Sequence, residues 1–128
     1  VHNTALRTLV EGLVDLGLLV GDPDGLMQRG DYRHLYMHRT GHWLGLDVHD
    51  VGAYRLGERP AELETGFVLT VEPGLYISDR LAVPEGQPEI DDRWKGIGIR
   101  IEDDVAVTEQ GHEVLTQIAQ KSVAAMER

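Results

Sequence analysis

Apolar residues in the first part of the chain recur with the period of an α-helix. Between Thr4 and Leu19 they fall mostly on one stripe and the charged residues lie off it, which predicts an amphipathic helix. The sequence Gly21-Asp-Pro-Asp24 contains strong helix breakers, so we expect this helix to end just before Gly21. A second, short helix is predicted from Asp24 to about Gly30. Residues 32–54 show neither a clean helical nor a clean strand pattern.

The second half of the chain alternates between apolar and polar residues, as strands with one buried face do. Three stretches show this alternation and are predicted strands: Phe67–Glu72, Leu75–Ile77 and Ile97–Thr108. The apolar residues of the last strand share one face: Ile97, Ile99, Ile101, Val105 and Val107. Residues 79–95 are predicted to form a loop and Leu115–Arg128 a helix. The pattern indicates one α+β unit built around an antiparallel sheet.

Composition and charge narrow the classes of function. The 128 residues are 41% hydrophobic, enough for one domain with a core, and 22 acidic against 12 basic residues give a formal charge of −10. This balance disfavours nucleic-acid binding, which needs clustered Lys and Arg. No apolar stretch is long enough to cross a membrane. The chain has no cysteine, which excludes a disulfide scaffold and thiolate metal ligands and leads us to expect a cytoplasmic protein.

Two glutamates at the predicted strands are candidate functional residues. Glu72 ends the first strand and is followed at once by Pro73-Gly74, a turn that can aim the carboxylate into a cleft. Glu102 lies on the less apolar face of the last strand, and Arg100 shares that face two residues away. Either acid taken alone is more often a solvated surface residue.

Three of the six histidines lie close together in the sequence: His38, His42 and His49. The helical zinc-protease pattern needs Glu directly after the first histidine, and Arg39 stands there instead. One histidine alone is more often structural, but three of them with two strand glutamates indicate a His/Glu cluster. Its oxygen-rich donors suit a hard divalent ion such as manganese. The residues therefore predict a metal-assisted hydrolase of unspecified substrate, while His34 and His112 are interpreted as surface histidines.

Longer segments resemble a known family. Three of them follow one another along the chain: Tyr36-Met-His-Arg-Thr-Gly-His-Trp-Leu-Gly-Leu-Asp-Val-His-Asp-Val-Gly52, Val68-Leu-Thr-Val-Glu-Pro-Gly-Leu-Tyr-Ile77 and Gly96-Ile-Gly-Ile-Arg-Ile-Glu-Asp-Asp104. Together with the opening helix around Glu11-Gly-Leu-Val-Asp-Leu-Gly-Leu-Leu19, they closely resemble aminopeptidase P, the Xaa-Pro aminopeptidase family of the pita-bread metallopeptidases. The resemblance covers nearly the whole chain apart from residues 79–95 and the C-terminal helix. It implies the C-terminal portion of the pita-bread fold, an α+β fold with a curved antiparallel sheet and flanking helices.

The resemblance also implies a role for each matching residue. His42 corresponds to the family's histidine metal ligand, Glu72 to a carboxylate ligand that serves as general base or proton shuttle, and Glu102 to the carboxylate that bridges two metal ions. The implied reaction is hydrolysis by a hydroxide activated between two divalent ions. It releases the first residue from a peptide substrate whose second residue is proline.

Three further residues match positions that face the substrate or flank the metal ligands. His38 and His49 correspond to two histidines that bind the substrate and stabilise the tetrahedral intermediate, and Arg100 to the arginine beside the bridging glutamate. By the same resemblance, these residues and Glu72 form the expected catalytic set.

One departure from the family concerns the metal site, which also needs two aspartates from a region upstream of the opening helix. No residue of this chain matches them. We therefore expect residues 1–128 to be the C-terminal part of the catalytic domain of a longer protein, which we call the full-length protein. The full-length protein is expected to bind two divalent ions, predicted to be Mn²⁺. The chain alone is predicted to carry an incomplete site, to be inactive, and to associate as a homo-oligomer or with a partner through exposed sheet edges and apolar surface.

Other interpretations remain open. Prolidases share the same ligands but cut Xaa-Pro dipeptides, so substrate length separates them from aminopeptidase P. A non-catalytic pita-bread domain would bind a partner, although such domains have generally lost the ligands that survive here. A creatinase-type relative would act on a non-peptide substrate, but its motif around the histidines differs.

Overall fold

The computed structural model describes residues 1–127 of the chain, which contain both helices and strands. The α-helices are α1 His2–Asp15, α2 Pro23–Arg29 and α3 Val123–Met126. Short 3-10 helices span Asp31–His34 and Asp92–Trp94. The strands are β1 Arg55–Leu56, β2 Arg59–Pro60, β3 Val68–Val71, β4 Gly74–Tyr76, β5 Gly98–Arg100, β6 Asp103–Thr108 and β7 Gly111–Val114. The expected mixture of helices and strands is therefore present.

Every strand pairing among the described residues is antiparallel, as predicted. The strands do not form one sheet, however. They pair as β1 with β2, as β3-β6-β7, and as β4 with β5. The chain also divides into two compact units: the first comprises Val1–Thr40 with Pro73–Arg100, and the second comprises Gly41–Glu72 with the segment that starts at Ile101.

The first unit holds a hydrophobic core to which α1 contributes one buried face. The buried apolar residues are Leu6, Val10, Leu13, Leu18, Leu19, Leu26, Leu35, Tyr36, Ile77 and Ile90. Helix α1 ends at Asp15, four residues before the predicted end at Leu19. The cause is Gly17, whose φ of 71° is left-handed, and the chain then folds back so that the N–H of Leu18 donates to the carbonyl of Leu13. Leu18 is thus buried, as its hydrophobicity requires, but outside the helix.

Helix α2 confirms the short helix predicted after the break. It begins at Pro23 because the Asp22 carboxylate caps it, accepting a 3.0 Å hydrogen bond from the Gly25 N–H. It ends at Arg29, because the following Gly30 is left-handed at φ 78° and caps the helix.

The predicted strand Ile97–Thr108 is interrupted. Residues 98–100 pair with β4 in the first unit, whereas residues 103–106 pair with β3 in the second. Ile97, Ile99 and Ile101 are exposed, so these three residues do not line a core among the described residues. Apolar alternation reports which residues share a face, but not which segment covers that face.

The long C-terminal helix predicted over Leu115–Arg128 is wrong. Residues 111–114 form strand β7, which pairs with β6 through a tight turn that joins Thr108 to Gly111. Residues 115–120 form no helix, and α3 spans only Val123–Met126; Arg128 lies outside the described residues. The start of the predicted helix is bound to β6 instead: the Leu115 N–H donates to the Asp104 carbonyl at 2.8 Å.

His112 is exposed, as predicted, but His34 is not a surface histidine. Both ring nitrogens of His34 are buried and lack a hydrogen-bond partner among the described residues. Burial lowers the pKa of His34 below its ordinary value of 6.5 and outweighs the opposite effect of Asp31. His34 therefore binds a proton more tightly in the unfolded chain than in the folded one. As a result, the contribution of His34 to the free energy of unfolding is fully present above pH 6.5 and is lost as the pH falls below this value.

We expect the His34→Leu variant of the full-length protein to lose less stability than the wild type between about pH 7.5 and about pH 5.5. Leucine has no proton to bind, so this part of the pH dependence disappears. Urea unfolding at the two pH values measures the difference. His112→Leu, at an exposed position, is the control and should keep the wild-type pH dependence; the same dependence in His34→Leu would contradict the prediction.

Candidate metal centre

The antiparallel register of β3 and β6 brings the two candidate glutamates together. The last pair of this ladder is Val71 with Asp103. Glu72 follows Val71 and Glu102 precedes Asp103. The two glutamates therefore face each other just beyond the end of the β3–β6 ladder. Like charges in this arrangement are destabilising, and a cation between them removes the repulsion.

His42 approaches the same end of β3 from its other side. The Thr70 N–H donates to the His42 carbonyl at 2.9 Å, and the His42 N–H donates to the Thr70 hydroxyl at 3.1 Å. Trp43 continues this contact by forming a β-bridge with Leu69. The approach is close enough that a Cβ atom on Gly41 would lie 1.9 Å from the Thr70 carbonyl oxygen. Residue 41 must therefore be glycine for His42 to reach this position.

The result is a convergence of one imidazole and two carboxylates. Each of His42, Glu72 and Glu102 offers a ligand atom, and these atoms all lie within 4.8 Å of one another. The His42 Nε2 atom lies 3.3 Å from Oε1 of Glu72. Glu72 is buried, with 8% of its surface exposed, whereas Glu102 is exposed. A buried carboxylate needs hydrogen bonds or a cation, and the Thr70 hydroxyl supplies one donor at 3.3 Å.

The ring of His42 is oriented for metal binding. Its Nδ1 atom lies 3.0 Å from the Trp43 carbonyl oxygen, which can only accept, so Nδ1 carries the proton. Nε2 then presents its lone pair on the side of Glu72. A backbone carbonyl that fixes the tautomer of a histidine in this way is typical of metal ligands. The donor set therefore fits a divalent cation.

His49 lies beside this cluster in the same unit. Its ring packs edge-on against His42 with ring centroids 4.2 Å apart, and the residue is exposed. The structure thus brings together four of the predicted site residues in the second unit: His42, His49, Glu72 and Glu102.

His38 and Arg100 belong to the first unit, where both bind the hydroxyl group of Tyr76. Arg100 Nε donates to this oxygen at 2.7 Å, and His38 Nε2 lies 3.1 Å from it. His38 Nδ1 is 2.7 Å from the Arg39 carbonyl and therefore carries the ring proton. The Tyr76 hydroxyl must then donate to His38 Nε2. The hydrogen bonds run in one direction, from Arg100 through Tyr76 to His38.

Sequence reasoning missed Tyr76. The residue pairs with Gly98 in the β4–β5 ladder, and its ring occupies the space above that glycine, where a Cβ atom would come within 3.3 Å of the ring. A tyrosine on the strand that follows Glu72 is only a weak sequence signal of a functional residue. Its importance follows from the register with Arg100 and Gly98, which the sequence alone does not specify.

A second charged group adjoins the metal cluster. The Asp103 carboxylate, next to Glu102, accepts hydrogen bonds from Lys121 Nζ at 2.8 Å and from the Thr116 hydroxyl at 2.7 Å. These two donors hold the pKa of Asp103 below its usual value, so the carboxylate stays ionised. Lys121 and Thr116 were not among the predicted site residues.

Comparison with known proteins finds similarity over most of the chain. Metallopeptidase family M24 matches residues 1–109. The Xaa-Pro aminopeptidase of Haemophilus influenzae is 48% identical over 98% of this chain and 27% of its own length. The solved structure of Pseudomonas aeruginosa aminopeptidase PepP is 51% identical with a TM-score of 0.88, covering 98% of this chain and 27% of that one. Zinc-substituted Escherichia coli aminopeptidase P in complex with product is 50% identical with a TM-score of 0.81, over 95% of this chain and 26% of that one.

These similarities establish the fold as the α+β pita-bread fold of the aminopeptidase P structures. The chain spans about a quarter of the length of the relatives it matches. The match extends along the sequence well beyond the three metal-binding candidates and includes the segments that place them. The chain belongs to metallopeptidase family M24.

Proposed function

We propose that the full-length protein is a metalloaminopeptidase that releases the N-terminal residue from peptides with proline in the second position. The observation that supports this best is the convergence of His42, Glu72 and Glu102 in a chain about half identical to Xaa-Pro aminopeptidases. Residues 1–128 are its partial catalytic domain. The two remaining carboxylate ligands come from the part of the full-length protein that this chain does not include.

His42, Glu72 and Glu102 would hold the metal ions. Divalent cations bound there supply Lewis-acid polarisation of the scissile carbonyl and lower the pKa of water. Glu72 is suited to move a proton at Oε1, because the Thr70 hydroxyl donates to this oxygen and burial shields the carboxylate from bulk water. We propose Mn²⁺ as the native metal, since the donor set has more oxygen than nitrogen, although the related Escherichia coli enzyme has been obtained with zinc.

His38, His49 and Arg100 are proposed to serve the substrate. His49 is exposed beside a ligand and can donate a hydrogen bond to a substrate carbonyl. His38 is oriented by the Arg39 carbonyl and by Tyr76, and Arg100 holds the tyrosine in turn. We propose that this chain of hydrogen bonds fixes the ring of His38 and supplies it with a proton donor.

The remaining proposals concern the setting of the enzyme. No helix among residues 1–127 is long and apolar enough to span a bilayer. We propose a cytoplasmic, homo-oligomeric protein without nucleic-acid or membrane partners. The exposed apolar residues Ile97, Ile99 and Ile101 support an association that covers them, either with another part of the full-length protein or with a second subunit.

The proposed function predicts that the Mn²⁺-loaded full-length protein cleaves an Xaa-Pro-Yaa tripeptide after the first residue and spares an Xaa-Pro dipeptide. Mass spectrometry of the products measures this directly. The 128-residue chain alone, tested in parallel, is expected to be inactive because its metal site is incomplete. Cleavage of the dipeptide alone would identify a prolidase, and cleavage of neither peptide would favour a non-catalytic binding domain. Turnover by the isolated chain would contradict the proposed ligand set.

A further inference from the structure

A network of hydrogen bonds ties the C-terminal segment to the start of β6, immediately after Glu102. Lys121 Nζ donates to the Asp103 carboxylate at 2.8 Å and to the Thr116 carbonyl at 2.9 Å. The Thr116 hydroxyl donates to Asp103 at 2.7 Å and accepts from the Asp104 N–H at 3.0 Å. Lys121 and Thr116 thus hold the side chain of Asp103, and Thr116 also holds the backbone N–H of Asp104.

This network bears on Glu102 because, among the described residues, the strand pairing fixes Asp103 and Asp104 but stops one residue short of Glu102. Glu102 lies between strands β5 and β6, outside both ladders, and its side chain is exposed. Asp103 forms the last pair of the β3–β6 ladder, opposite Val71, so its placement decides where the preceding residue emerges. Ladder ends fray unless other contacts hold them. Here the contacts come from Thr116 and Lys121.

The charge of Lys121 adds to this effect. Glu102, Asp103 and Asp104 are three consecutive acids, and Glu72 lies opposite the first of them. Lys121 supplies the opposing positive charge at Asp103. The side chains of Lys121 and Asp103 are only 25% and 24% exposed, so this ion pair is screened less than one on the open surface.

We propose that Lys121 and Thr116 are positioning residues for the metal ligand Glu102, acting through Asp103 and the backbone of residues 103–104. The inference rests on the proposed metal site and deepens it. Both residues lie beyond residue 109, where the family match ends. Lys121 and Thr116 keep the carboxylate of Glu102 opposite Glu72 before a cation binds. Cation binding then does not carry the entropic cost of ordering this side chain.

The test compares Mn²⁺ affinity, measured by equilibrium dialysis, in variants of the full-length protein. Lys121→Met removes the charge and both hydrogen bonds, and Thr116→Val removes the hydroxyl with little change of shape. We expect each to weaken Mn²⁺ binding by about 10-fold to 100-fold. Lys121→Arg keeps the charge and donors and should stay within about threefold of the wild type.

The chain offers a matched control, because its other lysine also pairs with an aspartate. Lys95 Nζ lies 2.6 Å from the Asp92 carboxylate in the first unit, whereas Glu102 belongs to the second unit. Lys95→Met breaks this pair and should leave Mn²⁺ affinity unchanged. Thermal unfolding of the metal-free proteins separates positioning from folding: because the Lys121 pair is less exposed than the Lys95 pair, we expect Lys121→Met to melt somewhat below Lys95→Met but to remain fully folded at the temperature of the dialysis.

Three results would overturn the inference. The first is wild-type Mn²⁺ affinity in both Lys121→Met and Thr116→Val. The second is a loss of affinity in Lys121→Met that Lys121→Arg shares. The third is a loss of affinity that accompanies an equal loss of fold in the metal-free variants. Because affinity is measured without substrate, a full-length protein that binds Mn²⁺ but cleaves no Xaa-Pro peptide would refute the proposed function and leave this comparison intact.

Discussion

Replacing Glu72 by glutamine is expected to lower kcat/KM of the full-length protein for an Xaa-Pro-Yaa peptide by about 10³-fold or more, within the range of about 10²-fold to 10⁴-fold typical of acid–base residues. Glutamine keeps the shape of the side chain but cannot accept a proton or supply a negative ligand. Because Glu72 is buried and lies 3.3 Å from His42 Nε2, no water-exposed group can readily replace it.

The matched control for this substitution is Glu113→Gln. Glu113 is an exposed acid on β7 of the same unit, so the change removes the same charge without touching the metal cluster. Its kcat/KM should equal that of the wild type. The proposed role of Glu72 also requires the bound Mn²⁺ to decrease in Glu72→Gln, measured by metal analysis after dialysis. Full activity with full metal content in this variant would refute the assignment of Glu72 as ligand and proton carrier.

The fold was predictable where local signals decide it. The start of α2 follows from Asp22 and Pro23 and its end from Gly30, and each acts within one turn of helix. The end of α1 was misplaced because Gly17 was not recognised as a stop, and the apolar residues after it continue the helical period while lying outside the helix. The prediction of the C-terminal helix failed for a different reason: the hydrogen bonds of residues 111–116 go to β6, the preceding strand of the same hairpin, and this pairing overrides helix propensity.

The members of the candidate metal cluster could be named from the sequence, but their geometry could not. His42, Glu72 and Glu102 stand out by residue type and by the surrounding motifs, but their convergence depends on the β3–β6 register and on the bridge between Trp43 and Leu69. The sequence does not state which strands pair or at which residue. Tyr76 and Lys121 were missed for the same reason, since each acquires its importance only from the residue that lies opposite it.

Gly41 shows how strongly that geometry depends on close backbone approach. The segment before His42 runs against β3 so tightly that a Cβ atom at residue 41 would lie 1.9 Å from the carbonyl oxygen of Thr70 and 3.0 Å from its carbonyl carbon. Thr70 is 2% exposed and its backbone belongs to a paired strand, so it cannot give way as a flexible side chain would. The clash must therefore be relieved by separating His42 from the strand that carries Glu72.

We accordingly expect Gly41→Ala to destabilise the full-length protein by about 3 kcal/mol, at the upper end of the usual cost of overpacking, and to lower its Mn²⁺ affinity because His42 moves away from Glu72. Urea unfolding and equilibrium dialysis measure the two effects. Gly12→Ala is the control with the opposite sign: residue 12 lies within α1 and a Cβ atom there meets no other atom within 4 Å, so alanine should stabilise the protein by about 0.5–1 kcal/mol. If Gly41→Ala were as stable as the wild type and bound Mn²⁺ equally well, the close packing of residue 41 against Thr70 could not be what places the histidine ligand.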